Sequence, residues 1–378
     1  MNKLKLALRV LLPLLFSAAL VWLSLRNAPV GKVVGAIAHS DKGPLVAYVG
    51  VLLLIHLLRT VRWGILLEPL GHVGFKRLNS ASAIGIMLLI VLPLRMGEFA
   101  RPLLIARPPE GRGPRLRRSG AMASIVVERI ADGLFVGLLG VLTLHALGDS
   151  AHGEYAVHAR RAAVLVSLGF LVLCVVLGAA FFLREWAVAL TGKLLGPLSP
   201  KLAAKATSML DAFIGALHLG SGWKALGFFL LTAAYWASAT LGLAIVAPAF
   251  GMHLSPLQAC AVLTMQVVGA MIPAGPGMVG TLQLATQIGL SLFYKAFDSG
   301  PEGVNAVAFA NTVWLLQFLQ QVVLGVFFMS TGHVSLRGLF GASAPDPTTD
   351  AGDAEGDTKL SPAGVGAAAD AARPAAHP

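Results

Sequence analysis

The sequence has few charged residues: Asp, Glu, Lys and Arg make up 12% of its 378 residues. A water-soluble domain contains about 25% charged residues, so a soluble fold of this length could not cover its surface with charge. Hydrophobic residues make up 56% of the chain, against roughly 45–50% in soluble domains. These values exclude an ordinary soluble protein and predict a chain whose solvent is largely lipid.

Cysteine and catalytic motifs are also scarce. The two cysteines, Cys174 and Cys260, lie inside apolar runs without metal-ligand spacing, which excludes a disulfide framework, and we interpret them as small buried residues. The sequence contains no GxxxxGK[ST] phosphate loop, no HExxH and no GxSxG. We therefore expect no classical enzyme, no ATP-driven pump, no cofactor and no metal site.

Basic residues outnumber acidic ones, with 29 Lys and Arg against 18 Asp and Glu. In a soluble protein this excess would suggest nucleic acid. Here the basic residues lie between long apolar runs, so membrane topology and anionic lipid explain them better, and we expect no nucleic-acid partner. The stretch Arg107–Arg118 is interpreted as a cytoplasmic anchor on anionic lipid.

Long apolar runs predict the membrane spans, each of which needs about 20 residues. The six predicted full spans are Leu4–Leu25, Pro44–Leu67, Ala121–Leu147, Ala162–Leu183, Trp223–Phe250 and Val304–Met329. The first resembles a signal peptide but lacks a cleavage site, so we expect it to remain. The mixed segment Arg184–Gly222 is placed at the membrane surface. Residues 1–332 then form the membrane domain, and 333–378 are predicted to be a disordered cytoplasmic tail.

Two further apolar stretches, Asn79–Ile105 and Pro256–Tyr294, are interrupted by proline and glycine. If the first crossed the bilayer, the basic loops 67–78 and 106–119 would face opposite sides, which the positive-inside rule disfavours. Re-entrant hairpins resolve the conflict and leave both termini in the cytoplasm. The predicted fold is an all-α integral membrane protein of six spans and two broken hairpins, an eight-helix-like bundle. Breaks at Pro93 and Pro273 suggest, as a hypothesis, inverted two-fold symmetry.

The first break carries three charges, Arg95, Glu98 and Arg101, at i, i+3 and i+6. On a helix these side chains share one face, with the carboxylate between two guanidinium groups. Each charge costs about 2.5–3.5 kcal/mol at mid-bilayer, so the cluster must be paired or hydrated. We interpret it as a site for a lipid phosphate; a cluster that neutralises itself at the interface is the alternative.

Glu128, Arg129 and Asp132 lie at helical spacing near the start of the following span. They either complete an ion network around Arg95 and Arg101 or mark an ordinary helix start near the interface.

Arg59, Arg62 and Trp63 stand at the end of the second span, one turn after His56. Snorkelling arginines and an interfacial tryptophan are common at such a place. A substrate-binding role for the two arginines is the alternative. His56 is interpreted as a contact between helices.

The second break contains two prolines and three glycines, which cannot continue a helix. Glycine permits close backbone approach, and free amides at the start of the next helix would suit an anion. Gln283 lies just inside that helix and is a candidate donor to a headgroup. The candidate residues of this break are Pro273, Gly275, Pro276, Gly277, Gly280 and Gln283.

Four motifs in one order give the chain a family resemblance. They are Arg59-x-x-Arg62-Trp63, Leu92-Pro93-x-Arg95-x-Gly97-Glu98-x-x-Arg101, Glu128-Arg129-x-x-Asp132 and Pro273-x-x-Pro276-Gly277-x-x-Gly280. Over about residues 1–332 the chain resembles the lysylphosphatidylglycerol synthase transmembrane region family, also called the flippase-like domain family. The resemblance implies an eight-helix membrane domain that, in the founding two-domain proteins, moves an aminoacylated phospholipid between leaflets. It also implies that the charged residues of the second and third motifs lie near the lipid path.

Two departures from the family pattern change these expectations. The residues after Gly332 are too few for a soluble aminoacyl-transfer domain, so we do not expect the chain to make lysyl-lipid. In the second hairpin, Met278 replaces a glycine and Gln283 stands where an acid is expected. This departure argues against coupling through a carboxylate at that place and suggests a different headgroup.

The sequence thus predicts a stand-alone translocator of a lipid or lipid-linked glycan in a bacterial cytoplasmic membrane. Its partners would be membrane lipids: an anionic or aminoacylated phospholipid, or a lipid-linked glycan. The first alternative is a non-transporting subunit that scaffolds a glycosyltransferase or lipid-modifying enzyme through the basic stretch Arg107–Arg118. The second is an intramembrane lipid transferase with Glu98 or Asp132 as its base.

Overall fold

A computed structural model describes residues 15–92, 97–106, 116, 118–147, 222–272 and 275–334, with isolated positions between 157 and 207. All these residues belong to the compact unit Met1–Ser335. The predicted span Ala162–Leu183, surface segment Arg184–Gly222 and basic stretch Arg107–Arg118 are described only at isolated positions. The predicted tail lies outside the described residues from 335 onward. These four assignments stay predictions.

The described residues form helices and turns and contain no strand. In chain order the helices are α1 (Leu15–Leu25), α2 (Val30–Ala38), α3 (Lys42–Leu67), α4 (Phe75–Val91), α5 (Ala100–Ala106), α6 (Arg118–Leu147), α7 (Gly222–Val246), α8 (Pro256–Met271), α9 (Thr281–Leu290) and α10 (Pro301–Ser330). Short 3₁₀ helices follow α3 and α7 and precede α9, at Glu68–Leu70, Ala247–Phe250 and Pro276–Met278.

Three of the described helical segments are long and apolar enough to cross a membrane: Lys42–Leu70, Gly222–Phe250 and Pro301–Ser330. Their outer faces expose large apolar side chains such as Val46, Leu230 and Val323, which suits contact with lipid rather than water. These features confirm an all-α membrane protein. The total of six spans remains a prediction.

Both predicted breaks are confirmed. At the first, α4 ends at Val91, Leu92 takes an extended conformation, and a 3₁₀ turn at 97–99 leads into α5. The chain then folds back, since a Cβ at Gly85 would lie 2.1 Å from Cγ of Arg101. At the second, α8 ends before an extended Ile272, and α9 returns so closely that a Cβ at Gly269 would lie 2.4 Å from that of Ala285. Each break is therefore the tip of a helical hairpin.

The same order of elements occurs twice along the chain. The segment from α3 to α6 matches the segment from α7 to α10, each with a 3₁₀ turn after its first helix and a broken hairpin in its middle. Lys42 and Gly222, which begin the first helices, are 180 residues apart, and Arg118 and Pro301, which begin the last, are 183 apart. The two last helices have 30 residues each.

The helix contacts between the two halves are those expected for two halves related by a two-fold axis. Helix α10 packs on α4, and its counterpart α6 packs on α8, while α3 packs extensively on α7. The last pair is antiparallel: Glu68 at the end of α3 bonds to Lys224 at the start of α7, and Tyr48 contacts Gly242 near the opposite ends. The two halves therefore run in opposite directions, as the symmetry hypothesis requires.

Small side chains allow the helices to approach closely at the centre. Residues 80–83 of α4, which are Ser, Ala, Ser and Ala, are buried, as are Ala306, Ala308 and Ala310 of α10. Where these helices meet, a Cβ at Gly325 would lie 2.3 Å from Cβ of Met87. Apolar side chains gain little from leaving lipid, so close packing of small residues is what holds such helices together.

Candidate functional site

Arg62 lies at the centre of a buried ionic cluster between α3 and α6. Its side chain is 0% exposed. Nη1 donates to Oδ1 of Asp132 at 2.6 Å, and Nη2 donates to Oε1 of Glu128 at 2.9 Å. Thr232 of α7 accepts a longer bond of 3.4 Å, and the Tyr235 ring lies 4.9 Å from the guanidinium carbon. The two carboxylates neutralise a cation that would otherwise be very costly at this depth.

Arg101 joins the same cluster from α5. Its Nη1 donates to Oε2 of Glu128 at 3.0 Å, and its guanidinium carbon lies 4.3 Å from the ring centre of Trp63. The Trp63 indole in turn donates to Oγ of Ser124 at 3.0 Å. Nε and Nη2 of Arg101 are buried and have no hydrogen-bond partner among the described residues. This arginine therefore has donor capacity left for a ligand.

The interfacial interpretation of Arg62 and Trp63 was wrong. Both side chains are fully buried because α3 continues past them to Leu67 and α6 and α7 cover this face. The interpretation of His56 as a contact between helices holds, since its Nε2 lies 2.8 Å from Oδ1 of Asn79 in α4.

The expected single helical face of Arg95, Glu98 and Arg101 needs correction. Glu98 lies in a 3₁₀ turn and α5 begins only at Ala100, so no continuous α-helix carries the three residues. The carboxylate that contacts Arg101 at 3.0 Å is that of Glu128. Arg95 lies outside the described residues.

Arg129 occupies the outer edge of the cluster, with its side chain 42% exposed. Its Nη2 lies 3.4 Å from oxygens of both Glu128 and Asp132. The structure thus brings Arg62, Arg101, Glu128, Arg129 and Asp132 into one network. The expected network around Arg95 and Arg101 stays a prediction for Arg95, and Arg62 is a member that the sequence did not predict.

A cavity of about 280 Å³ adjoins this network, between the two hairpins. Its charged wall consists of Arg59, Glu98, Arg101 and Arg129. Together with Arg62, Glu128 and Asp132 of the adjoining network, these residues comprise four arginines and three carboxylates, a formal excess of one positive charge. Arg59 donates to the Tyr235 hydroxyl at 2.8 Å and is only partly buried. A wall of this kind suits an anion such as a phosphate, which a guanidinium can bind through two parallel hydrogen bonds.

The cavity also has a lining of polar but uncharged side chains, called the uncharged wall below, and the sequence reasoning missed it. It carries four glutamines, Gln266 of α8 and Gln317, Gln320 and Gln321 of α10, together with Trp236. Nε1 of Trp236 and Nε2 of Gln320 are buried without a partner among the described residues. The signal was present in the sequence, because three amides at i, i+3 and i+4 are unusual in an apolar span.

The tip of the second hairpin is shaped by contacts with α1 and α10. Gly277 and Gly280 have φ of 76° and 86°, in the region that favours glycine. A Cβ at Gly280 would lie 2.7 Å from the Ser17 carbonyl oxygen. The Gly275 amide donates to Oγ of Ser17, and the Gly277 carbonyl accepts from the Trp314 indole. The glycines therefore provide the close backbone approach that the sequence predicted.

Other residues of that tip lie away from the cavity wall. Gln283 is 3% exposed, and its side-chain oxygen accepts from the Gly280 amide at 2.8 Å. The Gln283 side chain thus caps the start of α9. The sequence had predicted instead that it donates a hydrogen bond to a headgroup. Pro276 opens the 3₁₀ turn, and Pro273 lies outside the described residues. From this tip, Met278 lines the cavity.

The two hairpin tips meet beside the cavity. Leu92 of the first tip and Ile272, Gly275 and Met278 of the second surround a gap of only about 10 Å³. Such a gap is about the smallest that can hold one water. Among the described residues, no group of three or more His, Cys, Asp or Glu side chains is placed to hold a metal.

A comparison with protein families matches residues 10–325 to the family described as the lysylphosphatidylglycerol synthase TM region. Separate comparisons of the sequence with curated proteins and with solved structures gave no match. The matched range includes all four motifs and every residue of the cavity wall.

Proposed function

Because the chain belongs to the lysylphosphatidylglycerol synthase TM region family, a membrane domain associated with lipid-related functions, we propose that it moves a lipid with a polar headgroup between leaflets. The observation that carries the proposal is a cavity between two broken hairpins that is lined by three arginines, one glutamate and four glutamines. Non-helical backbone at membrane depth is tolerated only inside protein or beside a wet cavity. Paired breaks of this kind are the usual position of a transporter's binding site.

The charged wall supplies the headgroup contacts in this proposal. Arg59, Arg101 and Arg129 bind the phosphate, and Arg101 uses its unpartnered nitrogens for the purpose. Glu98 orients these arginines within the wall. Arg62, Glu128 and Asp132 lie behind the wall and hold the arginines in place. Acyl chains remain in the surrounding lipid, since the cavity is too small for them.

The closed contact between the hairpin tips is the barrier to free passage. Leu92 and Ile272 meet there around a gap too narrow for a headgroup. Movement of one tip away from the other would open the cavity towards one leaflet. Two hairpins of opposite direction provide one such gate for each leaflet. The cycle proposed here involves no covalent chemistry, so the protein acts as a translocator and not as an enzyme. We place it in a bacterial cytoplasmic membrane with both termini in the cytoplasm.

Transbilayer movement of labelled lipids in proteoliposomes tests the proposal. We expect the native protein to move at least one phosphate-bearing lipid, and Glu98→Ala to abolish movement while the protein still inserts. Glu68→Ala is the matched control, because that carboxylate pairs with Lys224 at an exposed position and does not line the cavity. A fully active Glu98→Ala would overturn the site assignment, and a native protein that moves no lipid would overturn the function.

A further inference from the structure

The uncharged wall of the cavity consists of four glutamines and Trp236. Gln317 donates to the Tyr48 hydroxyl at 2.8 Å, and Gln266 donates to Oγ of Thr286 at 2.8 Å. These two bonds hold the Gln317 and Gln266 amides in place. Gln320 and Gln321 line the cavity from adjacent positions of α10. All four side chains can both donate and accept hydrogen bonds.

Two donors on this wall are buried and lack a partner among the described residues. They are Nε2 of Gln320 and Nε1 of Trp236, and Trp236 as a whole residue is 8% exposed. A buried donor without a partner costs free energy, so such groups in a cavity point to a ligand that accepts their hydrogen bonds.

The chemistry of that ligand follows from what the wall lacks. Among the described residues, Glu98 is the one acidic side chain that lines the cavity, and it belongs to the charged wall. A cationic amine would therefore meet three arginines and four neutral amides against this single carboxylate. Hydroxyl groups, which both donate and accept, match the amides, and the flat Trp236 ring suits the apolar face of a sugar or glycerol chain.

We infer that the headgroup taken by this cavity is a phosphate linked to a hydroxyl-rich group, a polyol or a sugar, rather than an amine-bearing one. The inference rests on the proposed function, in that the cavity is taken as the headgroup site. The phosphate lies on Arg59, Arg101 and Arg129, and the hydroxyl groups lie on Gln320, Gln321 and Trp236. Selectivity among lipids thus resides on α10 and α7, outside the charged motifs.

Binding and movement are measured separately for four lipids. Phosphatidylglycerol presents a glycerol headgroup, and a polyprenyl phosphate hexose presents a sugar. Phosphatidic acid presents the phosphate alone, and lysylphosphatidylglycerol adds an amine. Native mass spectrometry of the purified protein reports binding, and proteoliposomes report movement. We expect one of the two hydroxyl-rich lipids to bind about tenfold more tightly than phosphatidic acid, the effect of two neutral hydrogen bonds. The comparison between the glycerol and hexose lipids identifies which source supplies the hydroxyl groups.

The double variant Gln320→Leu, Gln321→Leu tests the wall itself. We expect its preference for the hydroxyl-rich lipid to fall to within about twofold of phosphatidic acid, because only the phosphate contacts remain. Asn311→Leu is the matched control on α10, since its amide donates to the Val307 carbonyl of the same helix and it does not line the cavity. Equal unfolding midpoints in detergent show that each variant folds.

The outcomes separate the two claims. Tighter binding of lysylphosphatidylglycerol, or no preference over phosphatidic acid, overturns the headgroup inference whether or not lipid moves. A preference retained by the double variant also overturns it. Selective binding of a hydroxyl-rich lipid without movement of any lipid supports the inference and overturns the proposed transport.

Discussion

Replacement of Glu128 by glutamine removes the carboxylate that two buried arginines share. In the native cluster Arg62 contacts Glu128 and Asp132, and Arg101 contacts Glu128. After Glu128→Gln, Arg62 keeps Asp132, but Arg101 keeps no carboxylate among its described contacts. Removing one partner of a buried ion pair costs about 3–5 kcal/mol, because the other charge stays buried without compensation. We expect the free energy of unfolding to fall by that amount.

Unfolding in mixed micelles with an increasing fraction of denaturing detergent measures this loss. Glu68→Gln is the matched control, because it breaks the ion pair to Lys224, in which both side chains are nearly half exposed. Pairs of that kind contribute about 0–1 kcal/mol. Equal unfolding free energies for Glu128→Gln and Glu68→Gln would refute the view that Glu128 holds the cluster together.

Two further predictions concern the hairpin and the charged wall. Gly85→Ala should destabilise the protein and lower lipid movement, because the new Cβ would lie 2.1 Å from Cγ of Arg101. Gly50→Ala is the control and should have neither effect, since its Cβ would have no neighbour within 4 Å. Thermal unfolding and transport assays measure the two effects, and equal stability of the two variants would contradict the prediction. Arg59→Gln should weaken binding of phosphate-bearing lipid about tenfold, because a charged donor to the phosphate is lost. Its stability should be nearly unchanged, since the described hydrogen bond of Arg59 is to the Tyr235 hydroxyl rather than to a carboxylate. Native mass spectrometry with lipid titration measures the affinity, and an unchanged affinity would remove Arg59 from the site.

Local signals predicted the broken hairpins well. Proline cannot continue a helix, and Pro93 and Pro273 stand two residues after Val91 and Met271, where α4 and α8 end. The charge of the flanking loops added the second argument, because straight crossings would have put basic loops on both sides. Both signals depend on composition near one point of the chain, which a sequence shows directly.

The centre of the ionic cluster could not be predicted in the same way. Arg62 stands near the end of a span, where arginines usually reach the interface, and only the packing of α6 and α7 over it makes it central. Its partner Glu128 is 66 residues away along the chain. The pairing of distant residues is a property of the tertiary fold.

The duplication was also hard to see in the residues. Proline at 93 and 273 and glycine at 97 and 277 match at an offset of 180, while Arg62 corresponds to Gly242 and Glu98 to Met278. The two halves share helix lengths and break positions but differ in charge. Among the described lining residues, the first half therefore supplies the three arginines of the cavity, and the second half supplies the four glutamines.

The account's central claim is that the headgroup occupies the cavity between the hairpins. Protection of single cysteines by lipid tests it, in a background with Cys174 and Cys260 replaced by alanine. Ala239 lines the cavity, and Leu241, two residues further along α7, is 48% exposed on the outer face. The two single-cysteine variants are therefore Ala239→Cys and, as the control, Leu241→Cys. A saturating phosphate-bearing lipid should slow modification of Ala239→Cys by a membrane-permeant maleimide and leave Leu241→Cys unchanged. Equal modification rates of Ala239→Cys with and without that lipid would contradict the claim.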